Sequence, residues 1–242
     1  MQDGAGVRLT GVGVGPGDPD LVTVKAVMVF AAADIVFVPV GDAGDTGYAE
    51  RVVLAHADPS RVRRLAFALS DDRAARERSW DAAGAQVADA LRAGSHVAFA
   101  TIGDPNLYST FTYLAATVRV LVPDASVDTV PGITALQDLA ARSGTVLAQG
   151  RQTLALLPLT AGEQALRDAL DAHDTVVLYK GGRRLPQVRS VLDAAGRSDD
   201  AVFGARLGLD DERVGDVPPT GSAPYLSTVI VTRPRGARGG AL

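Results

Sequence analysis

Short runs of β-branched residues alternate with amphipathic stretches along most of the chain, and this alternation restricts the fold more than any other feature. Strands separated by helices assemble into largely parallel or mixed sheets covered by helices, the α/β class. In the first half the strand candidates are Val7–Val14, Ile35–Val40 and Val97–Ile102. Between them Leu21–Ala33 reads as a helix with Asp18 or Asp20 as N-cap, and Asp72–Ala93 as a long charged helix stopped at Gly94. A further helix is expected from about Asn106 to Thr117. The turn-rich stretch Val122-Pro123-Asp124-Ala125-Ser126 then divides a first α/β domain, residues 1–122, from a second, residues 123–234.

The second domain is expected to open on a strand at Val127–Val130, a Pro131-Gly132 turn and a helix at Ala135–Ser143. Strands follow at Thr153–Leu157, Thr175–Tyr179, Ala201–Ala205 and Leu226–Thr232, with helices at Glu163–Ala172 and Leu185–Ala195. Residues 235–242, rich in glycine and arginine, read as a flexible tail. With 242 residues and 47% hydrophobic content, two packed cores are within reach.

Composition removes several classes of chemistry. Cysteine is absent, so disulfides, thiolate nucleophiles and cysteine-ligated metals are excluded. His56, His96 and His173 lack ligand spacing, and no metal site is expected. The formal net charge is −4 with no basic run, so nucleic acid is a poor partner. The longest apolar run, Ala26 to Ala33, ends at Asp34, well short of a membrane span. Met1-Gln2-Asp3-Gly4 shows no signal-peptide pattern, which leads to the expectation of a cytoplasmic protein without a membrane partner.

Three segments at expected strand ends carry the chemistry. Gly11-Val12-Gly13-Val14-Gly15-Pro16-Gly17-Asp18-Pro19 lets backbone approach a ligand closely and presents the next helix N-terminus to it. It lacks the Gly-Lys-Ser/Thr ending of a nucleotide P-loop, and Pro16 departs from the dinucleotide fingerprint. Thr101-Ile102-Gly103-Asp104-Pro105-Asn106-Leu107-Tyr108-Ser109 follows a strand directly, where open α/β sheets bind ligands, and Pro105 keeps Asp104 extended. Val130-Pro131-Gly132-Ile133-Thr134-Ala135-Leu136 is again a strand end leading into a helix, with Thr134 a good N-cap. Each of the three alone is also compatible with an ordinary turn or cap.

In this order and spacing, the three segments resemble those of the tetrapyrrole methylase family. The likeness extends through Val177-Leu178-Tyr179-Lys180-Gly181-Gly182-Arg183 and Ala223-Pro224-Tyr225-Leu226, and so covers essentially the whole chain. Within the family, the Tyr108-Ser109-Thr110-Phe111 continuation and the Lys180 to Arg184 segment are most similar to members that methylate C20 of precorrin-2 in cobalamin biosynthesis. The resemblance implies two α/β domains with mixed sheets facing a central cleft, S-adenosylmethionine as methyl donor, a tetrapyrrole substrate and a homodimer.

By the same resemblance, the donor would contact Pro16, Ile102, Gly103, Asp104, Leu107, Thr134 and Ala135, and from the second domain Tyr179, Lys180, Leu207, Pro224, Tyr225 and Leu226. Substrate positions are Gly15, Gly17, Lys180, Arg183 and Arg184, the basic ones suited to acetate and propionate arms. Lys25, Arg51, Arg142 and Arg151 are further cations of that kind. Asp18, Asp104 and Tyr108 are candidates for collecting the proton lost after methyl transfer. The rival readings are a sibling methyltransferase acting at another ring carbon and a non-catalytic nucleotide- or anion-binding module using Gly11–Asp18.

Overall fold

The computed structural model describes residues 6–41, 47–67, 72–180 and 182–234, with Arg183 described by its backbone alone. The expected tail, residues 235–242, lies outside the described residues, as does Gly181. The chain divides into two compact units, Met1–Thr134 and Ala135–Leu242.

The first unit comprises β1 (Arg8–Gly13), α1 (Val24–Ala32), β2 (Ile35–Val40), α2 (Tyr48–Leu54), β3 (Val62–Ala66), α3 (Arg73–Arg92), β4 (Val97–Thr101), α4 (Phe111–Leu121) and β5 (Ser126–Val130). Its strands form one parallel sheet in the order β3-β2-β4-β1-β5. The sequence pattern places β5 at the opening of the second half. Instead it pairs with β1 from Arg8↔Ser126 to Val12↔Val130, satisfying the backbone groups along that side of β1, and the first unit continues to Thr134.

Two helix starts differ from the sequence pattern, each for a local reason. Thr23 caps α1 by accepting the Ala26 N–H at 3.1 Å, whereas Asp18 caps only the 3-10 turn Pro19–Leu21 through Asp20 N–H at 2.9 Å. The fourth helix begins at Phe111 rather than Asn106, because Tyr108 has φ 52° and the Ser109 hydroxyl accepts the Phe111 N–H at 3.1 Å. Both α2 and β3 escape the pattern. On β3, an edge strand, Arg63 and Arg64 are exposed and hide its strand character.

Helices α3 and α4 cover one face of the sheet through Leu91, Leu114 and Phe111 packed on Leu9 and Phe99. The opposite face is covered by α1 and α2 through Ala26, Phe30, Val52 and Val53 packed on Val12, Val36 and Val38. Burying each of the larger of these side chains, Ala26 excepted, stabilises the fold by roughly 1.5–3 kcal/mol. Adjacent strands β1 and β4 therefore send their following helices, α1 and α4, to opposite faces. Their carboxyl ends form a topological switch point, the place where open α/β sheets bind ligands.

The second unit comprises α5 (Ala135–Ser143), β6 (Leu154–Pro158), α6 (Glu163–Ala172), β7 (Thr175–Tyr179), α7 (Leu185–Ala194), β8 (Ala201–Ala205), β9 (Arg213–Gly215) and β10 (Ser227–Thr232). The sheet order is β6-β7-β10-β8-β9, with β6 and β7 parallel and the other pairings antiparallel, so this sheet is mixed. One face packs on α6 and α7 through Leu166, Leu170, Leu185 and Leu192. The other packs on α5, where Leu136 and Leu139 meet Val177, Leu207 and Ile230.

Phe99 is fully buried at the centre of the first sheet, its ring 6.0 Å from those of Phe67 and Phe111. Replacement by alanine leaves a cavity, so Phe99→Ala is expected to lower unfolding free energy by about 3–5 kcal/mol, read from urea denaturation midpoints.

Candidate active site

At the switch point the first unit brings three loops into direct backbone contact. A Cβ on Gly13 would lie 2.5 Å from the Gly103 carbonyl oxygen and 2.6 Å from the Gly132 nitrogen. A Cβ on Gly132 would lie 2.1 Å from the same Gly103 oxygen. Neither distance is possible between real atoms, so both positions require glycine for close approach. Gly103 adds φ 70°, and a Cβ there would meet nothing within 4 Å, which leaves open space beside the loop.

Polar links fix this junction. Gly103 N–H donates to the Gly15 carbonyl at 2.7 Å, and Val14 N–H to the Thr101 carbonyl at 2.9 Å. The Asp104 carboxylate accepts Asn106 N–H at 2.8 Å through one oxygen and Gly132 N–H at 3.1 Å through the other. Asp104 thereby ties the loop after β4 to the loop after β5. The buried hydroxyls of Thr101 and Ser109 lie 2.9 Å apart and close the base of the 102–110 loop.

Of the other expected positions in this unit, Gly15, Pro16 and Gly17 are buried within their loop, and Ile102, Leu107 and Thr134 are half-buried. Asp18 is half-buried in the turn it caps. Tyr108 is exposed, in the left-handed backbone region that non-glycine residues seldom occupy. Lys25 and Arg51 are exposed on α1 and α2, away from these loops in sequence.

The second unit gathers most of its expected positions around the open end of β7. Tyr179 stands at that end, and its hydroxyl accepts the Leu136 N–H at 3.0 Å, next to half-buried Ala135. Lys180 follows with φ 58°; it is exposed, yet desolvation by its surroundings holds its ammonium below the usual lysine range. Gly182 lies against the 223–224 backbone, accepting Ala223 N–H at 2.7 Å. Leu207 is buried against Leu136, Leu139 and Ile230, and half-buried Leu226 accepts Arg206 N–H at 2.9 Å. Pro224 is half-buried and Tyr225 exposed beside them in the chain.

Arg184 departs from this group. Its guanidinium donates to the Leu159 carbonyl at 3.3 Å, beside a cavity of about 270 Å³ lined also by Gly162, Glu163 and Gln187. The Arg183 side chain lies outside the described residues. Arg142 is bonded to Asp138 and Glu212, and Arg151 is exposed.

Sequence reading assigned no role to Ser109, Asn106 or Arg206. Arg206, with φ 54°, follows β8 as Lys180 follows β7. The available signal was positional, a residue immediately past a strand end, but arginine gives no hint of positive φ.

The model of the tetrapyrrole (corrin/porphyrin) methylases matches residues 8–219. The chain belongs to this family. The cobalt-precorrin-2 C(20)-methyltransferase of Salmonella typhimurium is 32% identical over 231 residues, covering 93% of this chain and 96% of that protein. The precorrin-2 C(20)-methyltransferase of a Sinorhizobium species is 35% identical over 242 residues, covering 95% and 97%. Among solved structures, a cobalt precorrin-4 methyltransferase aligns with TM-score 0.69 at 20% identity, covering 93% of this chain and 94% of that one. The uroporphyrin-III C-methyltransferase of Thermus thermophilus, complexed with S-adenosyl homocysteine, aligns with TM-score 0.67 at 22% identity, covering 93% and 97%. The α/β fold of this methylase, a parallel and a mixed sheet, is therefore the fold of tetrapyrrole methyltransferases.

The glycine junction makes a direct demand on the methylase. Gly132→Ala is expected to lower unfolding free energy by more than about 2 kcal/mol, since backbone must move to admit the methyl. Asp104→Asn retains an acceptor oxygen and should cost about 1 kcal/mol, less than the 1–3 kcal/mol of Asp104→Ala, which strands Gly132 N–H. Guanidinium denaturation of the three variants measures both effects.

Proposed function

We propose that the chain is an S-adenosylmethionine-dependent C-methyltransferase that acts at C20 of precorrin-2 or cobalt-precorrin-2 in cobalamin biosynthesis. The observation that carries the reading is the meeting of three glycine loops at the switch point of a family member whose relatives, matched over nearly their full lengths, bear that activity in their names. Its cytoplasmic location and homodimeric state are part of the proposal, the latter checked by sedimentation velocity.

The residues present suit the donor. The open space beside Gly103, with half-buried Ile102 and Leu107 on the same loop, offers backbone groups and apolar walls rather than charge. In this reading Pro16, Ile102, Gly103, Asp104, Leu107, Thr134, Ala135, Tyr179, Lys180, Leu207, Pro224, Tyr225 and Leu226 hold it. When bound, S-adenosylmethionine supplies an electrophilic methyl group on a sulfonium whose departure needs no acid.

Catalysis then falls to positioning and exclusion of water, which the loops provide as rigid backbone. Asp104 spends both oxygens on backbone N–H groups and acts by holding the loops together. Asp18 is held in its own turn. Tyr108, with its side chain exposed, is the residue left to relay the meso-carbon proton toward solvent. For the substrate carboxylates, Lys180 is the first candidate, with Gly15 and Gly17 shaping the loop and Arg183 and Arg184 following along the chain. Binding of an anionic arm would raise the ammonium's pKa from its lowered position.

Incubation with precorrin-2 and methyl-labelled S-adenosylmethionine should yield a singly methylated product labelled at C20. Label at C17, or tight ATP binding without donor binding, would overturn the proposal. Lys180→Met should raise the KM for precorrin-2 about tenfold with little change in kcat, as loss of one charge-assisted contact requires.

A further inference from the structure

Three ionised side chains of the second unit, outside the site assigned above, tie α5 to the loop that follows β8. Asp138 lies on the buried side of α5, 5% exposed, and accepts the Arg142 Nε–H at 2.8 Å. Arg142 also reaches Glu212 through Nη1 at 2.9 Å. A Glu212 oxygen in turn accepts the Gly208 N–H at 2.7 Å. Desolvation works against the Arg142 charge, but the bonds to Asp138 and Glu212 outweigh it and hold the guanidinium above its ordinary range.

The backbone these groups hold is a forced one. Arg206 and Gly208 have φ 54° and 73°, and the loop closes through Leu209 N–H to the Arg206 carbonyl and Glu212 N–H to the Leu209 carbonyl, both at 3.0 Å. Arg206 pairs with Asp211 at 2.9 Å. Between the two positive-φ residues sits Leu207, pressed against Leu136 and Leu139 of α5.

As a device for stability this arrangement is a poor choice, because burying a carboxylate costs heavily and an apolar residue of similar volume would serve at least as well. Its distinctive consequence is geometric. The helix beginning at Ala135, and the loop carrying Leu207, are locked to one another through charge-assisted bonds of fixed direction. Both segments belong to the donor site in the reading above.

We propose that Asp138, Arg142 and Glu212 are positioning residues for the methyl donor: they fix the 206–209 loop against α5 so that Leu207 and its backbone stand ready for the nucleoside. This inference rests on the donor-site reading. It assigns the three residues no contact with the donor or the tetrapyrrole.

The test compares wild type, Glu212→Ala and Glu212→Gln by calorimetric titration with S-adenosylhomocysteine, hydrogen exchange at Gly208, thermal unfolding and KM for precorrin-2. Glu212→Ala should weaken S-adenosylhomocysteine binding by about tenfold, equivalent to about 1.4 kcal/mol, and speed Gly208 exchange. Its KM for precorrin-2 should stay within about twofold of wild type, since Glu212 is assigned no contact with that substrate. Glu212→Gln, which keeps an acceptor for Gly208 N–H, should recover most of the affinity. Unchanged affinity in Glu212→Ala would overturn the proposal, as would losses in donor affinity, precorrin-2 KM and unfolding midpoint that move together. Failure of the wild type itself to bind S-adenosylhomocysteine would instead remove the donor-site reading, and this proposal with it.

Discussion

The contact of three parallel strand ends at Gly13, Gly103 and Gly132 is the constraint on which the first unit depends. Side chains normally keep neighbouring loops several ångströms apart; here a Cβ would stand 2.1 to 2.6 Å from main-chain atoms of the next loop. Such proximity is possible only because β4, β1 and β5 are consecutive in the sheet and end in the same direction. The packing below repeats the logic. A Cβ on Gly11 would lie 2.5 Å from the Phe111 ring, so the helix that follows the 102–110 loop is seated directly over a strand that has no side chain there. Core and site are thus parts of one arrangement, in which Gly13 and Gly132 make room for backbone and Gly11 for the Phe111 ring.

The second recurrent feature is stored backbone strain. Among the described residues, the positive-φ residues other than glycine are Tyr108, Lys180 and Arg206. Each costs on the order of 1–3 kcal/mol and persists only where its surroundings over-determine it. Those surroundings are visible for two of them. The Thr101–Ser109 hydroxyl pair closes the loop holding Tyr108, and the Leu226 carbonyl with Asp211 holds Arg206. All three stand beyond strand ends, β4, β7 and β8, where a loop must turn sharply to present backbone at the sheet edge.

How much of this was legible in the sequence depended on whether a feature was local. The helices at Ala135–Ser143 and Glu163–Ala172 and the strands at Thr175–Tyr179 and Ala201–Ala205 matched because their periodicity and bounding residues act within one element. β5 was visible as a strand but not as a partner of β1, since pairing across more than a hundred residues leaves no local mark. The start of α4 was placed too early because Asn106 and Leu107 suit a helix, while the hydroxyl of Ser109 and the backbone of Tyr108 decide otherwise. The glycine loops were readable as loops. That Gly13 and Gly132 both crowd the Gly103 carbonyl was not, because it is a consequence of strand order.

The residues proposed for the donor rest on different materials in each unit, and this determines how each unit responds to change. In the first unit the junction is main chain against main chain, so it responds most directly to a change at a glycine or at the few side chains that tie its loops, Asp104 and the Thr101–Ser109 pair. In the second, loop 206–209 owes its shape to ionised side chains on α5 and at Glu212, which transmit changes made outside the loop itself. A net charge of −4 and the lack of any basic run conceal both constructions, since neither relies on an accumulation of charge. The first responds to added volume, as a close-packed interior does; the second responds to removal of a hydrogen-bond partner, as a buried polar network does.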